Sequence, residues 1–472
     1  MNILNVDVAV IGAGTAGLSA YDAARKEGAS VVLIEGGPYG TTCARVGCMP
    51  SKLLIAAAEA AHTIDVAPAF GVHVDGQVHV NGSEVMARVR TERDRFVSYV
   101  MEQLERIPAS DLISGCARFI DDHTLQIDDH TRIGARSVVI ATGARATYPE
   151  SFKKLGDRLI TSDAVFEWED LPKSLCVIGP GAIGLELGQA LRRLRVRVVV
   201  LGRGGAVGPI NDPRVRAYTI ATLGDEFPLD PDAKITDMQR EGDRVTISRK
   251  GVAGDEVTEH FDYVLAATGR VPNVDGLGIE NTTLALDKAG VPIFDSTTAQ
   301  AQSSAWAPIA IFIAGDASDF IPLLHEASDE GRIAGANAAR LALGNAVTPG
   351  LRRTPLGIVF TDPQIAIVGG GWAALKPGTF ATGEVSFENQ GRATILLKNK
   401  GLLHVYGEIG TGRFLGAEMI APSGEHLGHL LAWALQNDMT VAHMLEMPYY
   451  HPVIEEGLRS ALAELARELR KS

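Results

Sequence analysis

Cysteine is scarce in this chain: four occur in 472 residues, at Cys43, Cys48, Cys116 and Cys176. So few cysteines cannot form a disulfide-stabilised scaffold, and we therefore expect a reducing compartment. In such a compartment a close pair such as Cys43 and Cys48 is catalytic, redox-sensing or metal-binding before it is structural. Cys116 and Cys176 lie in strand-like apolar runs, so they are predicted to be inert core residues.

Basic charge is also in short supply. The chain has 44 Lys and Arg against 57 Asp and Glu, a formal net charge of −13, which argues against general affinity for nucleic acid. It shows no basic-then-apolar targeting pattern near Met1 and no apolar run of membrane-spanning length. We expect a cytoplasmic protein without nucleic-acid or membrane partners.

Glycine, by contrast, is plentiful at 51 residues, and some of it forms a dinucleotide-binding pattern. A strand at 7–11 leads into a glycine turn and a helix, and the next strand ends in an acid. In such a turn the first glycine permits the tight bend, the second admits a pyrophosphate and the third allows helix–strand packing, while the acid accepts a ribose hydroxyl. These positions are Gly12, Gly14, Gly17 and Glu35.

The same pattern recurs after a strand at 174–178, with Gly179, Gly181 and Gly184 in the turn. The first unit closes with Ala141-Thr142-Gly143 and the second with Ala267-Thr268-Gly269. This is an internal repeat at domain scale, and it implies two bound dinucleotides.

The second strand of the second unit ends in Gly202-Arg203 rather than in an acid. Without the acid, and with an Arg beside it, the site tolerates or favours a 2′-phosphate. Gly184 in place of the alanine common in phosphate-binding relatives, and the absence of a further Arg at Gly204 and Gly205, argue the other way. We expect NAD, with NADP left open.

The repeat predicts an α/β protein with two Rossmann-like dinucleotide-binding domains and a C-terminal α+β domain. The domain bounds are residues 1–148 for the first domain, 149–271 for the second, 272–348 for a return to the first, and 349–472 for the third. In the third domain we predict strands at 356–368, 379–387, 393–398, 402–409 and 414–419, and helices at 424–436 and 454–469.

The residues from Gly40 to Lys52 hold the cysteine pair in a glycine-rich turn before a helix. Pro50 suits a helix's first turn, and a sulfur at a helix N-terminus is favoured as thiolate. Cys48 is therefore the better charge-stabilised sulfur, and Cys43 is expected to be the more exposed exchange thiol. Two buried free thiols or half of a metal site are the alternatives.

His451 precedes Pro452 near the end of the chain, and Glu456 lies five residues after it. Thiol–disulfide exchange needs a base that takes a proton from the incoming dithiol and later returns it. Imidazole titrates in the right range, and a carboxylate on its other nitrogen would fix the tautomer.

The cysteine stretch resembles the signature of the class I pyridine-nucleotide–disulfide oxidoreductases. Motifs in the family's order cover the whole chain: the Gly12 unit, the cysteine stretch, the Gly179 unit, Gly315-Asp316, and His451-Pro452. Within the family the chain is most similar to the dihydrolipoamide dehydrogenases, through Phe360-Thr361-Asp362-Pro363-Gln364, Leu324-His325-Glu326-Ala327 and the last fifty residues or so.

The resemblance implies FAD in the first unit, a nicotinamide nucleotide in the second, and a dimerisation role for the C-terminal domain. Lys52 would lie near the flavin with Glu186 as its partner, where a cation stabilises reduced flavin. His451 and Glu456 would be the acid–base pair, contributed across a homodimer interface. The remaining cofactor-binding residues are predicted to be Thr42, Ala117, Thr142, Gly143, Arg203, Gly269, Asp316 and Leu324.

The implied activity is oxidation of the dihydrolipoyl group of a lipoyl-bearing protein, with reduction of NAD⁺. Such a partner would belong to a 2-oxoacid dehydrogenase, glycine-cleavage or other lipoate-dependent system. The alternatives are an NADPH-dependent reductase of glutathione or a related disulfide, and an FAD-binding structural subunit. Mercuric reductase is disfavoured because its relatives lack the His-Pro base and carry a C-terminal cysteine pair. Departures from the family pattern occur at Thr41, Ala44-Arg45 and Val453.

Overall fold

Alternating strands and helices form most of the chain in the computed structural model, which describes residues 1–251, 254–305 and 308–471. The strands are β1 (Asn2–Ile11), β2 (Val31–Glu35), β3 (Leu112–Ser114), β4 (Ala117–Asp121), β5 (Thr124–Ile127), β6 (Thr131–Ile140), β7 (Ala144–Ala146), β8 (Leu159–Thr161), β9 (Ser174–Ile178), β10 (Arg197–Leu201), β11 (Leu229–Asp230), β12 (Lys234–Glu241), β13 (Arg244–Lys250), β14 (Glu256–Phe261), β15 (Tyr263–Ala266), β16 (Arg270–Pro272), β17 (Ile311–Ile313), β18 (Leu356–Val359), β19 (Gln364–Val368), β20 (Phe380–Ser386), β21 (Leu402–Glu408) and β22 (Phe414–Ala421).

The α-helices are α1 (Thr15–Lys26), α2 (Thr42–Val46), α3 (Cys48–Val66), α4 (Gly82–Leu104), α5 (Ser162–Val165), α6 (Ala182–Arg193), α7 (Pro213–Gly224), α8 (Leu324–Ala342), α9 (Gly391–Ile395), α10 (Gly424–Gln436), α11 (Val441–Leu445) and α12 (Glu455–Leu469). Short 3-10 helices cover Ala67–Phe70, Glu150–Arg158, Ile279–Asn281, Gly315–Ser318 and Trp372–Ala374.

The first of two compact units comprises Met1–Pro50, Arg90–Thr147 and Arg270–Arg352. Its main sheet has the order β3-β2-β1-β6-β5-β4, and β17 also pairs with β6. β1 runs parallel to β2 and β6, whereas β5 is antiparallel to β6. Residues 8–11 of β1 and 31–34 of β2 are continuous apolar runs, because these parts of the parallel strands are buried on both faces.

Small residues let α8 pack closely against α1. A Cβ added at Gly331 would lie 2.2 Å from the carbonyl oxygen of Ala16, and one at Gly335 would lie 2.1 Å from that of Ala20. Only glycine fits at these two positions of α8.

The second unit comprises Ser51–Val89, Tyr148–Gly269 and Arg353–Ser472. It contains a parallel sheet ordered β11-β10-β9-β15-β8, an antiparallel sheet β12-β13-β14, and a five-stranded antiparallel sheet β18-β19-β22-β21-β20. α10 and α12 pack on the last sheet, whose core includes Leu403, Met419 and Leu462. The α/β class predicted from the repeat is confirmed.

Two details of the predicted C-terminal domain are wrong. Residues 393–398 do not form a strand, because α9 covers Gly391–Ile395 and the Gln390 side chain caps it by accepting the Ala393 N–H at 2.7 Å. The single strand expected at 356–368 is instead two antiparallel strands, β18 and β19, separated by a turn that contains Pro363. Proline cannot donate to a sheet ladder, so the strand is interrupted there.

One helical stretch of the described residues, Thr42–Phe70, is long and apolar enough to cross a membrane, by length and composition alone. The expectation that the chain has no apolar run of membrane-spanning length is therefore wrong for this stretch. Core helices of soluble proteins pass the same test, so the observation is weak evidence for a membrane span.

Candidate active site

The first glycine turn has the geometry that a dinucleotide pyrophosphate needs. Gly12 has φ +104°, and a Cβ there would lie 2.4 Å from the Ala141 carbonyl oxygen. A Cβ at Gly17 would lie 1.7 Å from the carbonyl oxygen of Gly12, so α1 packs against the turn only through glycine. At Gly14 no atom lies within 4 Å of an added Cβ, which leaves room for a ligand at the N-terminus of α1.

Two polar groups around this turn fit FAD. The carboxylate of Glu35, at the end of β2, accepts the N–H of Ala13 at 2.7 Å and of Gly37 at 2.8 Å, which fixes it beside the turn. The hydroxyl of Thr142 is buried and has no hydrogen-bond partner among the described residues. A buried hydroxyl without a partner is costly, and a bound group would satisfy it.

The second glycine turn repeats the first. Gly179 has φ +113°, and a Cβ there would lie 2.2 Å from the carbonyl oxygen of Ala267. A Cβ at Gly184 would lie 2.0 Å from the carbonyl oxygen of Gly179, whereas Gly181 has open space. α6 starts at this turn with no acid in its first turn and no side-chain cap, as α1 does at the other. Both helix N-termini are therefore suited to phosphate.

The two cysteines lie side by side, and their side chains are hydrogen-bonded to each other. Cys43 is in α2 and Cys48 begins α3, and a Cβ on the intervening Gly47 would lie 3.1 Å from the Cα of Cys43. The pKa of Cys43 is raised, first by its hydrogen bond with the side chain of Cys48 and then by burial. Cys43 is half-buried, whereas Cys48 is exposed. The prediction that Cys43 is the more exposed of the two thiols is therefore wrong. The N-terminal placement of Cys48 on a long helix stands.

Thr41, where the family usually has glycine, has φ +59°, a conformation that favours glycine. Its hydroxyl accepts the N–H of Ala44 at 3.3 Å and caps α2. The cap offsets part of the backbone strain at this position.

The structure brings Lys52 and Glu186 together. The Lys52 Nζ lies 2.7 Å from Glu186 Oε2, and the other carboxylate oxygen accepts the backbone N–H of Phe360 at 2.9 Å. The ammonium also lies 4.5 Å from the centroid of the Phe360 ring. Glu186 is buried, so this charge pair has a fixed geometry rather than that of an exposed surface pair.

His451 and Glu456 also meet. The His451 Nδ1 lies 2.9 Å from Glu456 Oε1, and Glu456 Oε2 accepts the N–H of Val453 at 3.1 Å. These bonds lower the pKa of Glu456, the first through the His451 side chain and the second through the backbone. The His451 side chain is 82% exposed, so its Nε2 edge is accessible to a substrate or a second subunit.

The other predicted residues lie at the ends of strands or at the starts of strands and helices. Gly143 and Gly269, both with positive φ, follow β6 and β15, and Leu324 begins α8. Asp316 lies in the 3-10 helix after β17; burial raises its pKa, and Arg270 opposes that shift. Ala117 begins β4 and is buried, and Thr42 begins α2 and is exposed.

One sequence expectation outside the site is wrong. Cys116 is exposed rather than in the core, because it lies in the loop between β3 and β4; Cys176 is buried in β9, as predicted. Arg193, at the end of α6, is buried and pairs with Glu226 at 2.7 Å and Asp362 at 3.3 Å.

Sequence reasoning missed the residues that position the turn around Phe360. Gln189, one helical turn after Glu186 on α6, donates to the Asp362 carbonyl at 2.9 Å and accepts the Asp362 N–H at 2.8 Å. The turn that supplies Phe360 is thereby attached to the helix that carries Glu186. The spacing of Glu186, Gln189 and Arg193 along one helix face is the signal that could have shown this.

Comparison with known proteins gives full-length similarity. The model of the family described as pyridine nucleotide-disulphide oxidoreductase matches residues 6–331, and that of its dimerisation domain matches 356–462. The chain is 30% identical to the dihydrolipoyl dehydrogenase of Thermus scotoductus over 470 residues, covering 98% of each chain. It is 30% identical to the mercuric reductase of Shigella flexneri over 481 residues, covering 98% of this chain and 81% of that one.

Among solved structures, the HOCl-induced flavoprotein disulfide reductase RclA from Escherichia coli superposes with a TM-score of 0.80 at 21% identity, covering 97% of this chain and 99% of that one. This likeness shows a shared fold. The dimerisation-domain match supports a homodimer. With the two glycine turns and the adjacent cysteines, these matches show that the chain is a flavoprotein oxidoreductase and belongs to the pyridine nucleotide-disulphide oxidoreductase family.

Proposed function

We propose that the protein is an NAD-dependent dihydrolipoamide dehydrogenase acting as a homodimer. The observation that carries the proposal is the pair formed by His451 and Glu456, which supplies the acid–base group that dithiol oxidation requires. Bound FAD supplies the two-electron path between the cysteine pair and the nicotinamide.

The cysteine pair performs the exchange in two displacements. His451 of the partner subunit takes a proton from one substrate thiol, and the thiolate attacks the Cys43 sulfur of the oxidised pair. The Cys43–Cys48 bond breaks and Cys48 leaves as a thiolate, which the N-terminus of α3 favours. The second substrate thiol then attacks the substrate sulfur of the mixed disulfide and displaces Cys43. Cys43 takes the first proton from His451, and the imidazole accepts the proton of the second substrate thiol in turn. The dihydrolipoyl group has lost two electrons to form its disulfide, and the cysteine pair has gained them.

Lys52 and Glu186 hold a positive charge in a fixed place. Glu186 and the Phe360 ring restrict the ammonium from two directions. A cation so fixed stabilises negative charge that develops on reduced flavin. From the family resemblance we propose that this ammonium lies near the flavin.

One feature favours this function over mercuric reductase. The residues after Cys176 include no cysteine, so the stretch around His451 has no cysteine pair to bind mercury.

A second candidate is an NADPH-dependent disulfide reductase, and one observation favours it. Gly202 lacks the acid that bonds adenine-ribose hydroxyls, and the adjacent Arg203 is exposed. Comparing kcat/KM for the two nicotinamides separates the candidates, since a strong NADPH preference supports the reductase.

The direct test is anaerobic titration of the oxidised enzyme with dihydrolipoamide. A long-wavelength thiolate–flavin absorbance band is expected, and Cys48→Ser should abolish it. Cys116→Ser, which removes an exposed cysteine outside the pair, should leave the band unchanged. Persistence of the band in Cys48→Ser would overturn the assignment.

A further inference from the structure

The turn after β10 cannot carry the acid that usually follows this strand. A Cβ at Gly202 would lie 2.7 Å from Cγ and Cδ of Pro180 and 2.7 Å from the carbonyl oxygen of Pro231. Any side chain there collides with the glycine turn on one side and with the strand-end segment on the other. The missing acid is therefore a consequence of packing, and it does not by itself signal a site built for a 2′-phosphate.

A carboxylate from a distant part of the sequence reaches this turn. Oδ1 of Asp232, which follows β11, accepts the N–H of Gly204 at 2.9 Å. Backbone bonds hold the two segments together: the Gly202 N–H donates to Asp230 O at 2.7 Å and the Gly205 N–H to Pro231 O at 3.0 Å. Asp232 is exposed, so its charge faces solvent at the end of β10, where the adenine ribose of a bound nucleotide is recognised.

The rest of the turn would otherwise suit an anion. Gly204 and Gly205 have φ values of +78° and +77°, open space lies where their Cβ atoms would be, and Arg203 is exposed beside them. A turn with such backbone donors and a guanidinium is a place where phosphate binds. Here the Gly204 N–H is already bonded to an internal carboxylate, which also repels a phosphate dianion.

We propose that Asp232 replaces the missing acid at Gly202 and selects NAD over NADP. It does so by occupying the Gly204 N–H and by placing a negative charge where a 2′-phosphate would bind. The inference rests on the nicotinamide site of the proposed function and names its specificity-determining residue. It does not depend on which disulfide or dithiol the enzyme uses.

The test measures binding without turnover, on the FAD-loaded full-length protein. ADP-ribose and 2′-phospho-ADP-ribose are titrated by calorimetry into the wild type and Asp232→Asn. The amide keeps an acceptor for the Gly204 N–H and removes the charge, so the fold should be retained. We expect the affinity for 2′-phospho-ADP-ribose to rise about tenfold, with the affinity for ADP-ribose falling a few-fold.

Two further variants sharpen the result. Asp243→Asn removes one charge from an exposed carboxylate in the β12–β13 turn, 93% exposed, and should change neither affinity by more than about twofold. Adding Arg203→Ala to Asp232→Asn should cancel the gain for the phosphorylated probe, because the guanidinium is then missing.

An unchanged ratio of the two affinities in Asp232→Asn would overturn the inference, as would equal binding of both probes by the wild type. Neither probe reacts with the cysteine pair, so failure of lipoamide activity would leave these measurements interpretable. Conversely, a full gain of affinity for the phosphorylated probe would support Asp232 even if the dithiol substrate differs.

Discussion

Glu186 uses both carboxylate oxygens at once: one lies 2.7 Å from the Lys52 ammonium and the other accepts the Phe360 N–H at 2.9 Å. The acid thus joins a charged side chain on α3 to the turn between β18 and β19. The ammonium also lies over the Phe360 ring, so three groups determine where one positive charge stands.

Replacing Glu186 with Gln should lower the rate of flavin reduction by dihydrolipoamide about tenfold, because a charge-assisted hydrogen bond to Lys52 is lost. The amide oxygen can still accept the Phe360 N–H, so folding should be little affected. Rapid-mixing spectroscopy and the flavin midpoint potential measure the effect. Glu59→Gln, at an exposed acid on α3, the helix that carries Lys52, is the control; equal rates in both variants would show that the pair has no functional role.

Two substitutions in the first glycine turn should affect folding and FAD binding separately. Gly17→Ala places a Cβ 1.7 Å from the Gly12 carbonyl oxygen, so we expect it to destabilise the protein by about 2–4 kcal/mol or more through overpacking. Gly14→Ala meets no protein atom within 4 Å and should fold, yet lose most bound FAD because the pyrophosphate needs that space.

Flavin absorbance per protein and thermal unfolding of the apoprotein measure the two effects. Full flavin content in Gly14→Ala would contradict the placement of the pyrophosphate at the N-terminus of α1.

His451→Gln should reduce kcat for dihydrolipoamide by about 10²- to 10⁴-fold, since it removes the proton acceptor. Glu456→Gln should have a smaller effect of about tenfold, because the imidazole remains but loses its charged partner. The pKa of Glu456 is lowered, so this acid stays ionised below its ordinary range and should not cause any loss of activity as the pH falls from 7 to 5. Steady-state pH profiles of the wild type and Glu456→Gln test this; loss of the acidic limb in Glu456→Gln would contradict it.

A buried charge network makes stability depend on pH. His404 contacts Asp212 through Nδ1 at 2.7 Å and Glu384 through Nε2 at 2.8 Å, and Tyr406 also donates to Asp212. Burial alone would lower the pKa of His404, but the bonds to the two acids outweigh it and raise the pKa. The pKa values of Asp212 and Glu384 are lowered: His404 outweighs burial at the first, and Arg214 is the leading cause at the second.

Because the pKa of His404 is raised, its imidazolium contributes its full stabilisation below about pH 6.5. This stabilisation is lost as the pH rises through the pKa of His404 in the folded state. Asp212 and Glu384, whose pKa values are lowered, contribute to folding stability above about pH 4. This contribution is lost as the pH falls through their pKa values in the folded state. His404→Gln should therefore cost about 2–4 kcal/mol near pH 6 and less at pH 9, because a buried acid loses its cation. Melting temperatures across this range test it, with the exposed His443→Gln as control. A difference in melting temperature between the wild type and His404→Gln that grows with pH would contradict the account.

The parts predictable from sequence are those that short-range patterns determine. Gly12 and Gly179 begin turns whose conformation excludes other residues, so their roles follow from spacing alone. His451 and Glu456 lie five residues apart and meet as local geometry suggests. Lys52 and Glu186 are 134 residues apart, and only the family resemblance joined them.

The parts that escaped prediction depend on tertiary packing. Asp232 reaches Gly204 because β11 pairs with β10, and no local pattern announces that contact. Cys116 resembled a core residue by its apolar neighbours, but its loop leaves it exposed. Arg193 is buried although it is charged, because Glu226 and Asp362 pair with it.

The central claim is that a dithiol of the lipoamide type reduces this enzyme and that NAD⁺ accepts the electrons. Steady-state kcat/KM should be measured with dihydrolipoamide and NAD⁺ or NADP⁺, and with glutathione disulfide and NADH or NADPH. We predict that dihydrolipoamide with NAD⁺ exceeds every other combination by at least about tenfold. Faster turnover of glutathione disulfide with NADPH would contradict the account.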